Sequence, residues 1–157
     1  MKVLLAIEST NHSWETIEAV ASALWPPQTL VRVVSAVEVL VPASPEMWCD
    51  SAGVFEDAQQ EKVKSAEKMT ARAADLLSGC GLIAEGVVRE GSPRQVIVDE
   101  AKDWEADLVV VGSRANTGIK RWLLGSVAEY VVSHAPCSVE VIRKRPSETQ
   151  VEFAAAA

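Results

Sequence analysis

Cysteine, histidine, glycine and positive charge are all scarce in this chain, and each scarcity removes a class of function. Three cysteines, Cys49, Cys80 and Cys137, form no CxxC pair, and their odd number fits a reduced compartment better than a disulfide scaffold. Two histidines, His12 and His134, are too few to suggest a structural zinc site. The 8 glycines make neither of the usual phosphate loops. GxxxxGK[ST] does not occur, and the turn after the first apolar run has no glycine, which excludes the dinucleotide fingerprint. With 15 Lys and Arg against 22 Asp and Glu, the net charge is -7, leaving no basic patch for nucleic acid or an anionic membrane. A polyphosphate would have to be held by local groups and a cation, because the overall field repels it. Long apolar runs are missing too. The opening stretch Val3 to Ile7 stops at Glu8, too short for a signal-peptide core, and nothing approaches membrane-spanning length. The expected compartment is the cytoplasm.

What remains is an ordinary globular composition, 48% apolar and 24% charged over 157 residues. A chain of about 150 residues buries roughly 70% of its unfolded surface, enough for one domain with a substantial core. The expected domain runs over 1–144, with a disordered tail over 145–157 that lacks any period and ends in four alanines.

Periodicity divides that domain into alternating strands and helices. Val3 to Ile7 is continuously apolar, the mark of a strand covered on both faces. Asn11 or Ser13 can cap a helix carrying Trp14, Ile17, Ala21 and Leu24 at helical spacing, ended by Pro26 and Pro27. A valine-rich strand follows over Leu30 to Val37. Glu38 to Glu56 has Pro42, Pro45 and no period, so it reads as a loop. From about Asp57 to Ser78 a helix carries Val63, Ala66, Thr70, Ala73 and Leu77 on one face, closed by Gly79 and Gly81. Ile83 to Arg89 is a third strand, weakened by Gly86. Ser92 is positioned to cap the next helix, with Pro93 in its first position and Ile97, Ala101 and Trp104 forming its stripe. Leu108 to Val111 is a fourth strand, Ser126 to His134 a fourth helix, and Val139 to Ile142 a fifth strand. This alternation predicts an α/β fold, a doubly wound five-stranded parallel sheet with helices on both faces.

The chemistry concentrates after Val111. A glycine-bearing loop there runs from the carboxyl end of a strand to a helix start, where free N–H groups and the helix dipole favour a phosphate. Gly112 and Gly125 permit close backbone approach, and Ser126 and Val127 offer a hydroxyl and amide groups. Taken singly, Gly112 is also a strand-end turn and Gly125-Ser126 a helix cap. Lys120 and Arg121 could reach phosphates or form a solvated turn, and Arg114 is similar. Trp48 and Cys49 could cover the crevice or pack their own loop. No general base stands where a γ-phosphate is expected.

Asp107 to Arg143 resembles the signature of the universal stress protein family. That motif is Gly, two residues, Gly, nine residues, then Gly followed by Ser or Thr. Gly112, Gly125 and Ser126 match it, while Ala115 replaces the second glycine. Ala135-Pro136-Cys137, the AIEST start and the EGSP turn extend the resemblance over residues 2 to 143. It implies the strand order 3-2-1-4-5, which puts the ligand crevice between the first and fourth strands. It also implies ATP with Mg²⁺ as ligand, Glu8 on the ribose or base side, and Val37 backbone groups at the adenine edge. Gly112, Arg114, Ala115, Gly125, Ser126 and Val127 then surround the phosphates. The expected role is a stress-response sensor or switch. A nucleotide-free dimeric interaction module, favoured by Ala115, and a slow ATPase are the alternatives. The resemblance further implies a homodimer along the last strand, Cys137 to Arg143, although Glu140 stands where the family usually has an apolar residue.

Overall fold

The computed structural model describes residues 1–8, 13–41, 45–113 and 124–143, with backbone alone for 45–52. Its elements are β1 (Lys2–Ile7), α1 (Trp14–Ser22), β2 (Leu30–Val37), α2 (Pro45–Gly79), β3 (Ile83–Glu90), α3 (Pro93–Asp103), β4 (Leu108–Gly112), α4 (Ser126–His134) and β5 (Ser138–Ile142). The five strands form one parallel sheet in the order β3-β2-β1-β4-β5, as expected.

The central strands are apolar throughout because both of their faces are covered. On one face Val3, Leu5, Val31, Val33 and Val110 meet Ile17 and Val20 of α1 and Ala73 and Leu77 of α2. On the other, Leu4, Val34, Val109 and Val111 meet Ile97 and Ala101 of α3 and Ala128 and Val131 of α4. The edge strand β3 alternates more weakly, and its Gly86 has a packing reason. A Cβ there would lie 2.8 Å from the backbone of Thr70, so the missing side chain lets α2 sit directly on β3.

Three expectations need correction. The segment read as a loop over Glu38 to Glu56 is helical from Pro45 onward. Pro45 occupies the first helical position, where its missing N–H costs nothing. Over 53–58 only Phe55 is half-buried and the rest are exposed, too little of a stripe for a period to reveal. Leu24 does not belong to the buried stripe of α1. The helix stops at Ser22, Ala23 is extended, and Leu24 is fully exposed. The indole Nε1 of Trp25 donates to the carbonyl of Val20 at 2.7 Å and closes that end. Neither Ser13 nor Ser92 caps through its side chain. At α3 the helix instead starts with a backbone bond from the Val96 amide to the Ser92 carbonyl, 2.9 Å. Asn11 and the tail over 145–157 lie outside the described residues.

Candidate functional site

Strand order reverses where β4 pairs with β1 on the side opposite β2, which opens a crevice beyond the carboxyl ends of β1 and β4. Two connections leave this edge, and each is closed at its base. After β1, the amide of Glu8 donates to Ser13 Oγ at 2.9 Å, and the same hydroxyl donates back to the Glu8 carbonyl at 2.8 Å. After β4, the amide of Gly125 donates to the Ser113 carbonyl at 3.1 Å, while the Ser113 amide donates to Ile142 of β5 at 2.8 Å. The β1–β4 register pairs Ala6 with Val111, and two more places bring Glu8 beside Ser113. The two closures are therefore neighbours.

The structure gathers most of the sequence-derived candidates at this edge. Glu8 directly follows β1, with an exposed side chain. Val37 ends β2 and is buried; its carbonyl accepts the Gly91 amide at 2.9 Å and keeps a second lone pair. The chain beyond it is held by Gln59 of α2. The amide of Leu40 donates to Gln59 Oε1 at 3.1 Å, and Gln59 Nε2 donates to Glu90 at 2.8 Å.

Gly112 is the last residue of β4, and the space its Cβ would take belongs to α1. Thr16 Oγ1 lies 3.1 Å from that position. The glycine therefore admits the first turn of α1 against β4, a duty independent of any ligand. Gly125 is the N-cap of α4, in extended backbone, and Ser126 is the first helical residue. The cap position expected of Ser126 thus falls one residue earlier, on a glycine. The first helical donor is Glu129, which bonds the Gly125 carbonyl at 2.9 Å. The amides of Ser126, Val127 and Ala128 accordingly point off the helix start, at the positive end of its dipole.

Arg114 and Ala115 lie outside the described residues, as do Lys120, Arg121, His12 and the side chains of Trp48 and Cys49. His134 belongs to the last turn of α4, where its ring stacks on Tyr130 at 4.0 Å between centroids. Cys137 immediately precedes β5, at the opposite end of the sheet from the crevice. Burial raises its thiol pKa, with a further push from the Asp107 carboxylate, as befits a small half-buried hydrophobe. Among the described residues no three His, Cys, Asp or Glu side chains gather around a point that could hold a metal ion. No described helix is long and apolar enough to cross a membrane.

Ser113, Thr16, Gln59 and the double bond of Ser13 escaped the sequence. Ser113 had a signal, a small polar residue directly after a strand-end glycine. Thr16 and Gln59 had none, because their roles depend on which backbone group they meet across the fold.

Comparison with known proteins follows the same lines. The model of the universal stress protein family matches residues 1–143. Universal stress protein Sll1388 of Synechocystis is 44% identical over 63 residues, 40% of this chain and 41% of its own length, so the match spans less than half of that relative. Universal stress protein YxiE of Bacillus subtilis is 28% identical over 151 residues, covering 90% of this chain and 98% of its own. Among solved structures, hypothetical protein MJ0577 superposes with a TM-score of 0.76 at 20% identity, over 93% of this chain and 97% of the other. An Arabidopsis thaliana universal stress protein family protein, At3g01520, solved with AMP bound, gives 0.67 at 20% identity, over 96% and 98%. A universal stress protein in complex with cAMP gives 0.63 at 21%, over 90% and 96%. At these identities the structures establish the shared doubly wound fold.

Proposed function

This chain belongs to the universal stress protein family, and from that premise we propose that it binds an adenine nucleotide, ATP with Mg²⁺, in the crevice between β1 and β4. The supporting observation is the convergence of Glu8, Val37 and the amides of Ser126 to Ala128 on one end of the sheet, beside the strand-order reversal. The helix start of α4 supplies N–H donors and a positive dipole end for phosphate oxygens. Glu8 can accept hydrogen bonds from ribose hydroxyls or the adenine amino group, and the free lone pair of the Val37 carbonyl can do the same. Gly112, Arg114, Ala115 and Gly125 complete the phosphate side. Mg²⁺ would arrive with the phosphates, offsetting their charge against a chain of net charge -7. Two relatives of the same fold were solved with AMP and cAMP, which supports an adenine nucleotide as the ligand class. The role is a sensor or switch, in which bound nucleotide biases the conformation of the stretch between Ser113 and Gly125.

A second reading has its own support. The Gly125 amide is already engaged with Ser113, and the open side of Gly112 is filled by Thr16. With Ala115 in place of the second motif glycine, these features suit a nucleotide-free interaction module. Calorimetric titration with Mg-ATP and with AMP separates the two readings. Saturable heat in the micromolar to millimolar range is expected, and Ala115→Gly should tighten ATP more than AMP. No heat and no thermal shift at millimolar nucleotide would leave the interaction module as the better account.

A further inference from the structure

The second feature of the molecule equipped to bind something lies at the far edge of the sheet, away from the crevice. The amide of Ile83 bonds the Thr29 carbonyl at 3.1 Å, and the amide of Gly91 bonds Val37 at 2.9 Å, so odd-numbered residues of β3 direct their backbone groups toward β2. Backbone direction alternates along a strand. Ala84, Gly86 and Val88 therefore present both N–H and C=O outward, on the side where no described strand pairs.

These three residues also form the floor of a groove of about 400 Å³ between the strand and the flank of α2. The groove exists because its walls are small. Gly86 has no side chain, and α2 contributes Ala71 and Ala74. Gly86 is exposed on its open side even though Thr70 presses on the other, so nothing guards the backbone at mid-strand. Neither proline nor a bulge interrupts this eight-residue strand, and its charged residues Glu85, Arg89 and Glu90 fall outside the three outward-facing positions. Glu67 and Asp75, two turns apart on α2, stand at the groove rim, both exposed and neither in an ion pair among the described residues. Glu85 is different, being held by Arg32 at 2.6 Å on the other face.

We propose that the β3 edge is a docking site for an extended basic segment of a partner protein, which adds a sixth strand to the sheet. Backbone bonds to Ala84, Gly86 and Val88 supply the pairing, and a lysine or arginine on the α2 side enters the groove between Glu67 and Asp75. The net charge of -7 steers such a segment in.

The test uses a fluorescein-labelled peptide of four Lys-Val repeats, read by anisotropy, against the same sequence N-methylated at every backbone amide, of equal charge and unable to donate strand hydrogen bonds. Saturable binding of the unmethylated peptide alone is expected. Glu67→Lys with Asp75→Lys should weaken it at least tenfold, and amide exchange at Ala84, Gly86 and Val88 should slow on binding. Val88→Pro removes an outward N–H while sparing the bonds to β2, so it should abolish binding with the fold retained by circular dichroism. Should that variant fail to fold, the exchange data and the charge reversal decide. Equal binding of the two peptides, unchanged affinity in the double lysine variant, or protection elsewhere would overturn the proposal. So would concentration-dependent self-association lost in Val88→Pro, which would make a second copy the occupant.

Discussion

Gly112 carries two separable demands, and substitution can tell them apart. A methyl group there meets Thr16 Oγ1 at 3.1 Å, so Gly112→Ala should cost about 1–3 kcal/mol by overpacking. In a Thr16→Ala background the same change should cost clearly less, as chemical denaturation of the four proteins of the cycle would measure. Additive costs would mean that the crowding lies elsewhere. Ser126 is the converse case. Because Gly125 rather than Ser126 holds the N-cap position, Ser126→Ala should change stability by less than about 0.5 kcal/mol. If Ser126 contacts phosphate, nucleotide affinity should still fall. A large loss of stability with affinity intact would contradict both statements.

Among the secondary-structure elements, the strands were legible because burial on two faces leaves a continuous apolar run. The buried part of α2 was legible through Ala66, Thr70, Ala73 and Leu77, all of which the structure buries. Its N-terminal part was not, since a period reports a buried face and over 53–58 every side chain but the half-buried Phe55 is exposed. The candidate site was half legible for a related reason. Glycines and strand ends mark where a ligand can approach, whereas the backbone bonds that form the two closures leave no residue-type signature. Ser13 is the exception that can be tested. Its hydroxyl bonds both backbone groups of Glu8, so Ser13→Ala should cost about 1–2 kcal/mol and loosen the turn that carries Glu8. Thermal melts together with nucleotide titration would detect it; unchanged stability would reduce the two bonds to incidental contacts.

For the whole molecule, the two open edges of the sheet call for different partners. We propose that β5 pairs with β5 of a second copy, the isologous solution for a two-fold dimer. Glu140 opposes it, being exposed in mid-strand, where two facing carboxylates across the axis would repel. Glu140→Leu should therefore lower the dimer dissociation constant, measured by light scattering across a micromolar dilution series. Monomers at every concentration for both proteins would exclude a β5 interface. At the β3 edge the proposed partner is a heterologous basic strand.

The bond between Gly125 and Ser113 has an evolutionary consequence. It ties the end of β4 directly to the start of α4, so these two flanks hold each other independently of the sequence between them. Loop-closure entropy grows only slowly, by about 0.6 kcal/mol for each doubling of length. Insertions, deletions or a wholesale exchange between Ser113 and Gly125 should therefore be tolerated by the body of the protein. Descendants of one scaffold could then gain, lose or change a ligand by replacing a single stretch of chain, without renegotiating the core.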